Sequence, residues 1–556
     1  MADTIASLAD EYWDLWMASS PVLATIYGDH RFDDRLGPIT HEETEAVVGR
    51  LDDLADRAEA LDGLSTGDAL TRDVLVETVR GDAALERAGV YTAAISPYLG
   101  VQSSFPMAFS QMAAAEPAHA EMLLERVRSI PEYLTKVEER QRADLAAGLT
   151  PTRTNLARVL AQIEASVGGP LDDDPLLSIG APPNWDGEAE WRELLRHAVS
   201  ESVRPAFARH LEFLTEVASG VARSDDQPGI LHLPNGPERY SKLTDVFTSL
   251  AVDADEIHRI GLEEATGSLR DELAEIGGEA FGTADAAVVI DRLRSDPDLR
   301  YTSAAEMLEH ARQTVERAWS AVPPWFGVMP VGPCEVVEVP AGLAPSMPPA
   351  YYGVGAPDGS RPGRYFLNTY EPHTRTRFDA ESTTHHEAIP GHHFDRTLAT
   401  ELTDIPRFRN YAANIAHAEG WGLYAERLAD EIGLYSTPID RLGMVSSDAW
   451  RAIRLVVDTG IHHRGWTRDQ AIAFFTEHAA ISHETIAGEV DRYIGMPGQA
   501  LAYKMGQREI FRLREHARAA MGDRFTYPGF HDVVLTSGSV PLRVLARLVE
   551  DWVGDA

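Results

Sequence analysis

The sequence of 556 residues predicts a mainly α-helical protein with one small region of short strands. Apolar residues recur at helical spacing along most of the chain, which is the pattern of amphipathic helices. The stretch 322–364 differs, because dense prolines and glycines separate short pieces rich in β-branched and aromatic residues. With 44% apolar and 25% charged residues, the composition is that of a globular protein and not of a disordered chain.

The helical elements can be followed from the N-terminus. Ser20-Pro21 and Thr150-Pro151 each combine a capping residue with a first-turn proline, so both pairs predict helix starts. The stretches 167–187 and 224–238 are rich in proline, glycine or aspartate and predict loops between helical blocks. After residue 369 the pattern is helical again up to the C-terminus, where apolar residues keep helical spacing at Leu542, Leu545, Leu548, Val549 and Trp552.

Charge and cysteine content exclude several classes of partner and site. The formal net charge is -37, so the surface repels phosphates and anionic lipids, and neither nucleic acid nor membrane is expected as a partner. The single cysteine, Cys334, excludes intramolecular disulfides and multi-cysteine metal sites. The N-terminus has acidic residues where a signal peptide is basic, and no apolar run is long enough to span a bilayer. We therefore expect a cytoplasmic protein, and the sequence indicates no oligomeric state.

Four histidines fall within nine residues in the segment HHEAIPGHH, residues 385–393. In the usual H-E-x-x-H zinc signature, two imidazoles one helical turn apart share the metal, and the glutamate faces the metal-bound water. Here Pro390 stands four residues after His386, and the next histidine is His392. On a regular helix these two imidazoles would lie about 9 Å apart along the axis and about 120° apart around it. They could not share one ion.

Pro390-Gly391 offers a way to bring the two histidines together. Proline removes a helical hydrogen bond and glycine tolerates irregular backbone, so we predict a two-residue bulge. His386 and His392 are then the first two metal ligands, with His393 as the alternative to His392. A solvent-facing histidine-rich helix end without metal is the simpler alternative.

A catalytic zinc ion needs a third protein ligand. The segment AHAEGWGLYAERL offers two carboxylates on one predicted helix. We favour Glu419, because the glycines that flank the following tryptophan suit a helix packed tightly against another, and Glu426 is the alternative. Zinc held by His386, His392 and Glu419 is therefore the predicted cofactor.

Four segments in one order, HHEAIPGHHFD, AEGWGLYAERL, RLVVDTGIHHRGW and EVDRYIGMPGQALAYKMG, resemble a bacterial family of unknown function, DUF885. That family is similar in turn to zinc peptidases of the angiotensin-converting enzyme, thimet oligopeptidase and carboxypeptidase Taq type. The resemblance implies two helical lobes around a deep cleft and zinc-dependent hydrolysis of short peptides. It divides the chain into a helical N-terminal lobe (1–321), a short-stranded cleft segment (322–372) and a helical metal-binding lobe (373–556).

The resemblance also implies catalytic roles. Glu387 is the expected general base, taking a proton from water and passing it to the leaving amine. A donor to the developing oxyanion is expected from His462 or His463, or from Tyr493 or Tyr503. Asp458 stands four residues before His462, so it could fix the tautomer of that imidazole or form a surface ion pair with it.

The last of the four segments predicts a site for the terminal carboxylate of a substrate. Residues expected to bind substrate there are Arg492, Tyr493, Gln499 and Lys504. Lys504 attracts attention because the chain has only three lysines, and in angiotensin-converting enzyme relatives a lysine, a glutamine and a tyrosine bind this carboxylate. The resemblance therefore favours an exopeptidase, of carboxypeptidase or dipeptidase type. Two alternatives stay open, which are a helical binding protein with a structural metal and a metal hydrolase of non-peptide amides.

Overall fold

The computed structural model describes residues 3–340, 344, 347–355 and 361–555. Within these residues the chain forms helices α1–α24 and one sheet of three strands. The first helices are α1 (Ile5–Ser19), α2 (Pro21–Ile26), α3 (His41–Glu59), α4 (Thr66–Ala88), α5 (Val101–Phe109), α6 (Pro117–Ala146), α7 (Arg153–Gly168), α8 (Glu188–Ala198), α9 (Arg204–Phe213), α10 (Gly236–Thr248), α11 (Ala254–Glu263), α12 (Leu269–Phe281), α13 (Ala286–Ser295) and α14 (Ala304–Ala321). The predicted mainly α fold with a small sheet is confirmed.

After the sheet the chain is helical to its end, as expected. These helices are α15 (Ala380–Glu387), α16 (His392–Glu401), α17 (Arg407–Tyr411), α18 (Ile415–Ile432), α19 (Pro438–His462), α20 (Arg468–His478), α21 (His483–Gly495), α22 (Ala502–Met521), α23 (Tyr527–Leu535) and α24 (Leu542–Asp555). None of the helices in the described ranges is long and apolar enough to cross a membrane.

Helix starts follow the capping chemistry of the sequence. α2 begins with Pro21 in its first turn, as predicted. α7 begins two residues later than predicted, because the hydroxyl of Thr152, and not that of Thr150, accepts the N–H of Asn155. The capping residue was therefore the next threonine along the chain.

The sheet consists of β1 (Cys334–Glu338), β2 (Ala350–Gly353) and β3 (Gly363–Leu367). Its order is β1-β3-β2, with β1 parallel and β2 antiparallel to the central strand β3. All three strands lie within the segment 322–372 that the sequence singled out. β2 packs against α15 and β3 against α16, so the sheet lies beside the histidine-rich helices.

The first and last helices share one apolar core with the helix that carries Glu419. Leu8 of α1, Trp421 of α18 and Leu545 of α24 belong to the same buried cluster. α18 also packs closely on α22, since a Cβ atom on Gly420 would lie 2.5 Å from the Cα of Gly506. Both glycines are needed for this contact, and it fixes α18 firmly beside the histidine-rich helices.

Candidate active site

The predicted metal helix is interrupted at Pro390 and Gly391. Four residues between α15 and α16 form a turn instead of a helix, so the predicted irregularity is confirmed. A Cβ atom on Gly391 would lie 1.9 Å from the carbonyl oxygen of His386, which leaves room for glycine alone. The indole of Trp421, on α18, donates a hydrogen bond of 2.9 Å to the Pro390 carbonyl. Trp421 therefore holds the turn in place from the neighbouring helix.

This turn brings His386, His392 and Glu419 together, and we call these three residues the metal cluster. Glu419 Oε2 lies 3.5 Å from His386 Nε2 and 3.6 Å from His392 Nε2. One ligand atom from each of the three lies within 4.8 Å of the others. The two imidazoles meet edge to face, with ring centroids 4.7 Å apart and planes at 83°. Their nitrogen lone pairs can therefore converge on one point.

The metal cluster fits a zinc ion. Two ligand atoms about 2.0–2.1 Å from zinc at a tetrahedral angle lie roughly 3.3 Å apart, close to the 3.5 and 3.6 Å found here. Two imidazoles and one carboxylate also form a donor set typical of catalytic zinc. Gly422 makes the arrangement possible, because a Cβ atom there would lie 2.7 Å from the His386 ring.

The imidazoles of the metal cluster and the carboxylates next to them shift each other's pKa values. Burial lowers the pKa of His386, but the neighbouring carboxylates of Glu419 and Glu426 outweigh burial and raise it to about 9. Burial raises the pKa of Glu419, but hydrogen bonds from both imidazoles outweigh it and lower that pKa below its usual range.

Glu426, the alternative third ligand, lies behind His386. Its Oε1 is 2.8 Å from His386 Nδ1, on the side of the ring opposite to Nε2. The hydroxyl of Ser382 donates a hydrogen bond to its other oxygen. The carboxylate of Glu426 therefore orients the imidazole and leaves Nε2 facing the metal cluster.

His393, the alternative second ligand, lies outside the metal cluster. Its Nδ1 contacts the hydroxyl of Tyr352 at 3.0 Å and that of Thr397 at 3.2 Å. Burial lowers the pKa of His393 to about 4, so the imidazole is neutral. The structure therefore favours His392 over His393.

Glu387, the expected general base, ends α15 directly beside His386 and is partly exposed. Its negative charge helps to raise the pKa of His386 and, after burial, that of Tyr365. The carboxylate is therefore close to the metal cluster and reachable by water.

Tyr503 is on α22, which packs against α18, the helix that carries Glu419. Burial raises the pKa of its phenol, and the charge of Glu419 raises it further. The guanidinium of Arg454 lies 4.5 Å from the centre of its ring. The phenol is therefore protonated at neutral pH and able to donate a hydrogen bond.

A charged network lies next to Tyr503. Arg492 donates to both oxygens of Glu489 and to Gln499 Oε1, at 2.7–3.1 Å. The buried Tyr493 donates its hydroxyl proton to Glu489 and accepts a hydrogen bond from Arg454. Tyr493 therefore stabilises the network through its buried hydroxyl, which contacts Glu489 and Arg454. Its predicted direct contact with substrate is wrong. For Arg492 and Gln499, the role in substrate binding stays a prediction.

His462 is not placed as an oxyanion donor, which corrects the prediction. It is buried, its Nδ1 accepts the N–H of Ile230 at 3.1 Å, and its Nε2 lies 3.0 Å from the Tyr493 carbonyl. Both ring nitrogens are thus engaged with backbone. Asp458 does not orient it either, because that carboxylate accepts from Tyr240 and from the N–H of Gly498.

Lys504 is not placed to bind a substrate carboxylate, which is a second correction. Its ammonium contacts Asp448 at 2.5 Å, Glu264 at 2.7 Å and Gln507 at 2.7 Å, and the side chain is 4% exposed. All three N–H donors are engaged. Consecutive helical residues point about 100° apart, so Lys504 faces Asp448 and Glu264, whereas Tyr503 lies against Arg454.

Arg454 is the residue near the site that the sequence interpretation missed. It is the first residue of the segment RLVVDTGIHHRGW, whose histidines are the predicted functional residues. Its guanidinium is buried, donates to Glu489 and Tyr493, and lies against the rings of Trp450 and Tyr503. An arginine in an otherwise apolar helical run was the available signal, because a buried cation needs specific partners.

Two solved structures share this fold over the full chain. One is a candidate lipoprotein from Colwellia psychrerythraea, with 25% identity, a TM-score of 0.92 and 99% of each chain covered. The other is a candidate lipoprotein of unknown function from Shewanella oneidensis, with 18% identity, a TM-score of 0.72, and 99% of this chain and 100% of that chain covered. The expected cytoplasmic location is contradicted by these lipoprotein neighbours and is withdrawn.

A third structure, PZ peptidase A with an inhibitor, has 13% identity and a TM-score of 0.34 over 97% of this chain and 93% of that chain. At this TM-score the similarity is too low to support an inference about the fold or the activity of this chain. No curated protein is significantly similar in sequence. Residues 21–549, by contrast, match one family along nearly the whole chain. The chain belongs to DUF885, a family described as bacterial proteins of unknown function.

Proposed function

We propose that this protein is a zinc-dependent peptidase that hydrolyses short peptides. One observation carries the proposal: the metal cluster assembles two imidazoles and a carboxylate with ligand spacing, directly beside the partly exposed Glu387. Zinc bound there supplies Lewis-acid polarisation of a carbonyl and a lowered pKa of bound water.

The chain's own residues then have separate roles. The Glu387 carboxylate accepts a proton from the attacking water and delivers it to the leaving nitrogen. The Tyr503 phenol donates a hydrogen bond to the developing oxyanion. Glu426 holds the Nδ1 proton of His386, so that Nε2 of this imidazole keeps its lone pair for the metal.

The network beside Tyr503 supports exopeptidase action. Arg454 and Arg492 carry two positive charges against the single charge of Glu489, which leaves a net positive charge next to the reacting centre. Arg492, with 17% of its side chain exposed, can reach a terminal carboxylate, whereas Lys504 cannot. We infer a preference for peptides with a free C-terminus, bound by Arg492 and Gln499.

Glu387→Gln tests the activity and separates it from mere metal binding. Purified enzyme is incubated with a mixture of short peptides, in free-acid and amidated forms, with and without chelator, and products are identified by mass spectrometry. Loss of the general base should lower turnover about 10²- to 10⁴-fold while zinc content stays unchanged.

Glu484→Gln is the matched control, since Glu484 also follows a histidine but is exposed and remote in sequence from the metal cluster. It should keep full activity. Zinc in the wild type without any peptide cleavage would instead favour a structural metal site. Cleavage that survives both chelation and Glu387→Gln would contradict the proposed mechanism.

A further inference from the structure

A cavity of about 190 Å³ lies beside α15, between the sheet, α14 and α19. One part of its wall is apolar and consists of Met307, Leu367, Phe378, Trp450 and Ile481, and the rest carries polar residues such as Arg300 and Arg375. Such a volume is smaller than the roughly 300–1,000 Å³ of pockets for drug-sized ligands, so it suits one side chain.

Three of the polar groups that line the cavity are engaged with other protein atoms. The Asn368 amide nitrogen donates to the Ala344 carbonyl at 2.7 Å, and Arg375 Nε donates to the Tyr370 carbonyl at 3.2 Å. Asp379 accepts a hydrogen bond of 2.5 Å from the hydroxyl of Thr376. These three groups are therefore less available to a ligand than the apolar side chains of the wall.

The cavity lies one helical turn from the candidate active site along α15. Thr383 lines the cavity, and Glu387 follows four residues later on the same helical face. Four residues advance about 6 Å along a helix, which is a little less than the roughly 7 Å that two residues of an extended peptide span. Both residues are partly exposed, whereas His385 and His386 between them are buried. Tyr365 also lines the cavity, and its hydroxyl accepts a hydrogen bond of 3.4 Å from Thr384 on α15.

We propose that this cavity binds one large apolar side chain of the peptide substrate, next to the bond that is cleaved. The inference rests on the proposed peptidase function and adds a substrate class to it, namely peptides with a residue such as leucine or phenylalanine beside the cleaved bond. Moving such a side chain from water into an apolar pocket favours the complex, and we expect kcat/KM to rise about 10- to 100-fold over alanine at that position.

Peptides that differ at one position only, with alanine, leucine or phenylalanine on either side of the cleaved bond, test the inference. Ala350→Phe fills the cavity, because Ala350 lines it from strand β2, where an aromatic side chain suits the backbone. Glu335→Phe is the matched control, since it adds the same ring to β1, at the other edge of the sheet, on an exposed position. Zinc content and melting temperature are measured for each protein.

Wild type and Glu335→Phe should prefer the apolar residue, and Ala350→Phe should bring the phenylalanine-to-alanine ratio of kcat/KM towards one. Ala480→Leu, which narrows the cavity from another wall, replaces Ala350→Phe if that variant does not fold. A wild type that cleaves all peptides equally, or a filled cavity that keeps the preference, overturns the inference and leaves the peptidase function standing. A wild type that cleaves none of them contradicts the peptidase function itself.

Discussion

The metal cluster differs instructively from a second group of histidines and carboxylate near the N-terminus, His30, Asp33 and His119, which we call the N-terminal cluster. Both groups bring three ligand atoms within 4.8 Å of one another. In the N-terminal cluster, however, the two imidazoles are stacked, with centroids 4.0 Å apart and planes at 12°. Imidazole lone pairs lie in the ring plane, so stacked rings direct them along parallel planes and not towards one ion. The metal cluster, with planes at 83°, has no such obstacle.

Neighbouring charges sharpen the difference. In the N-terminal cluster, His30 Nδ1 lies 2.7 Å from Asp33 Oδ2, which is a hydrogen bond and too short for two ligands of one zinc ion. The buried Arg126 lies 3.9 Å from the same carboxylate and disfavours a second cation. In the metal cluster the carboxylate of Glu426 lies 2.8 Å from His386 Nδ1 and favours a cation. We therefore expect similar residue types to make a metal site only where ring orientation and outer charge agree.

Zinc stoichiometry gives the largest expected difference between the two clusters. Wild type should bind about one equivalent of zinc, and His392→Ala should remove the metal and all activity because one of three ligands is lost. His119→Ala should keep the full equivalent. Metal analysis of the purified proteins measures both.

His393→Ala serves as the nearer control, since His393 adjoins His392 but contacts Tyr352 instead of the metal cluster. It should retain zinc. Two equivalents of zinc in the wild type, one of them lost in His119→Ala, would break the distinction between the clusters.

Tyr503→Phe should have the next largest effect. Removing one oxyanion donor should lower kcat about 10²- to 10³-fold with little change in KM or zinc content. Steady-state kinetics measure the two constants separately. Tyr411→Phe is a suitable control, because the ring of Tyr411 packs against Trp13 and Tyr27, two aromatic residues near the N-terminus. A large change in KM with unchanged kcat would assign Tyr503 to substrate binding instead.

The metal cluster could be predicted because its cause is local. His386, His392 and the intervening Pro390-Gly391 lie in seven consecutive residues, and the chemistry of proline and glycine predicts the turn that joins the histidines. The prediction of Glu419 also depends on a less direct inference, namely that the glycines around Trp421 indicate a helix packed closely against another. The mainly α fold and its short-stranded segment followed equally from local periodicity and composition.

His462 and Lys504 were misplaced because their partners are distant in sequence. Helical spacing predicts a contact between His462 and Asp458, yet the ring nitrogens of His462 contact the N–H of Ile230 and the carbonyl of Tyr493. Lys504 was grouped with Tyr503 by adjacency, yet its helix face turns it towards two carboxylates on other helices. Spacing predicts which face of a helix a residue occupies, but it does not reveal which helix lies opposite that face.

The smallest expected effects come from neutralising one carboxylate that contacts an imidazole in each cluster, Glu426 at His386 and Asp33 at His30. Glu426→Gln should weaken zinc binding about 10- to 100-fold, because the neutral amide orients His386 less firmly and makes it a weaker ligand. Asp33→Asn should leave zinc binding unchanged. It should instead lower the free energy of unfolding by about 1–3 kcal/mol, since Asp33 is a buried acceptor for Thr25 and His30.

Two measurements separate these outcomes. Competition with a coloured zinc chelator gives the affinity of each variant, and urea unfolding of the metal-free proteins gives their stability. Zinc binds only the folded state, so it raises the stability of a protein in proportion to the logarithm of its concentration over its Kd. The stabilisation by zinc should therefore shrink in Glu426→Gln and stay at the wild-type value in Asp33→Asn, although the metal-free Asp33→Asn starts from a lower stability. A weaker zinc affinity in Asp33→Asn would show that the N-terminal cluster takes part in metal binding, and that ring orientation does not exclude it.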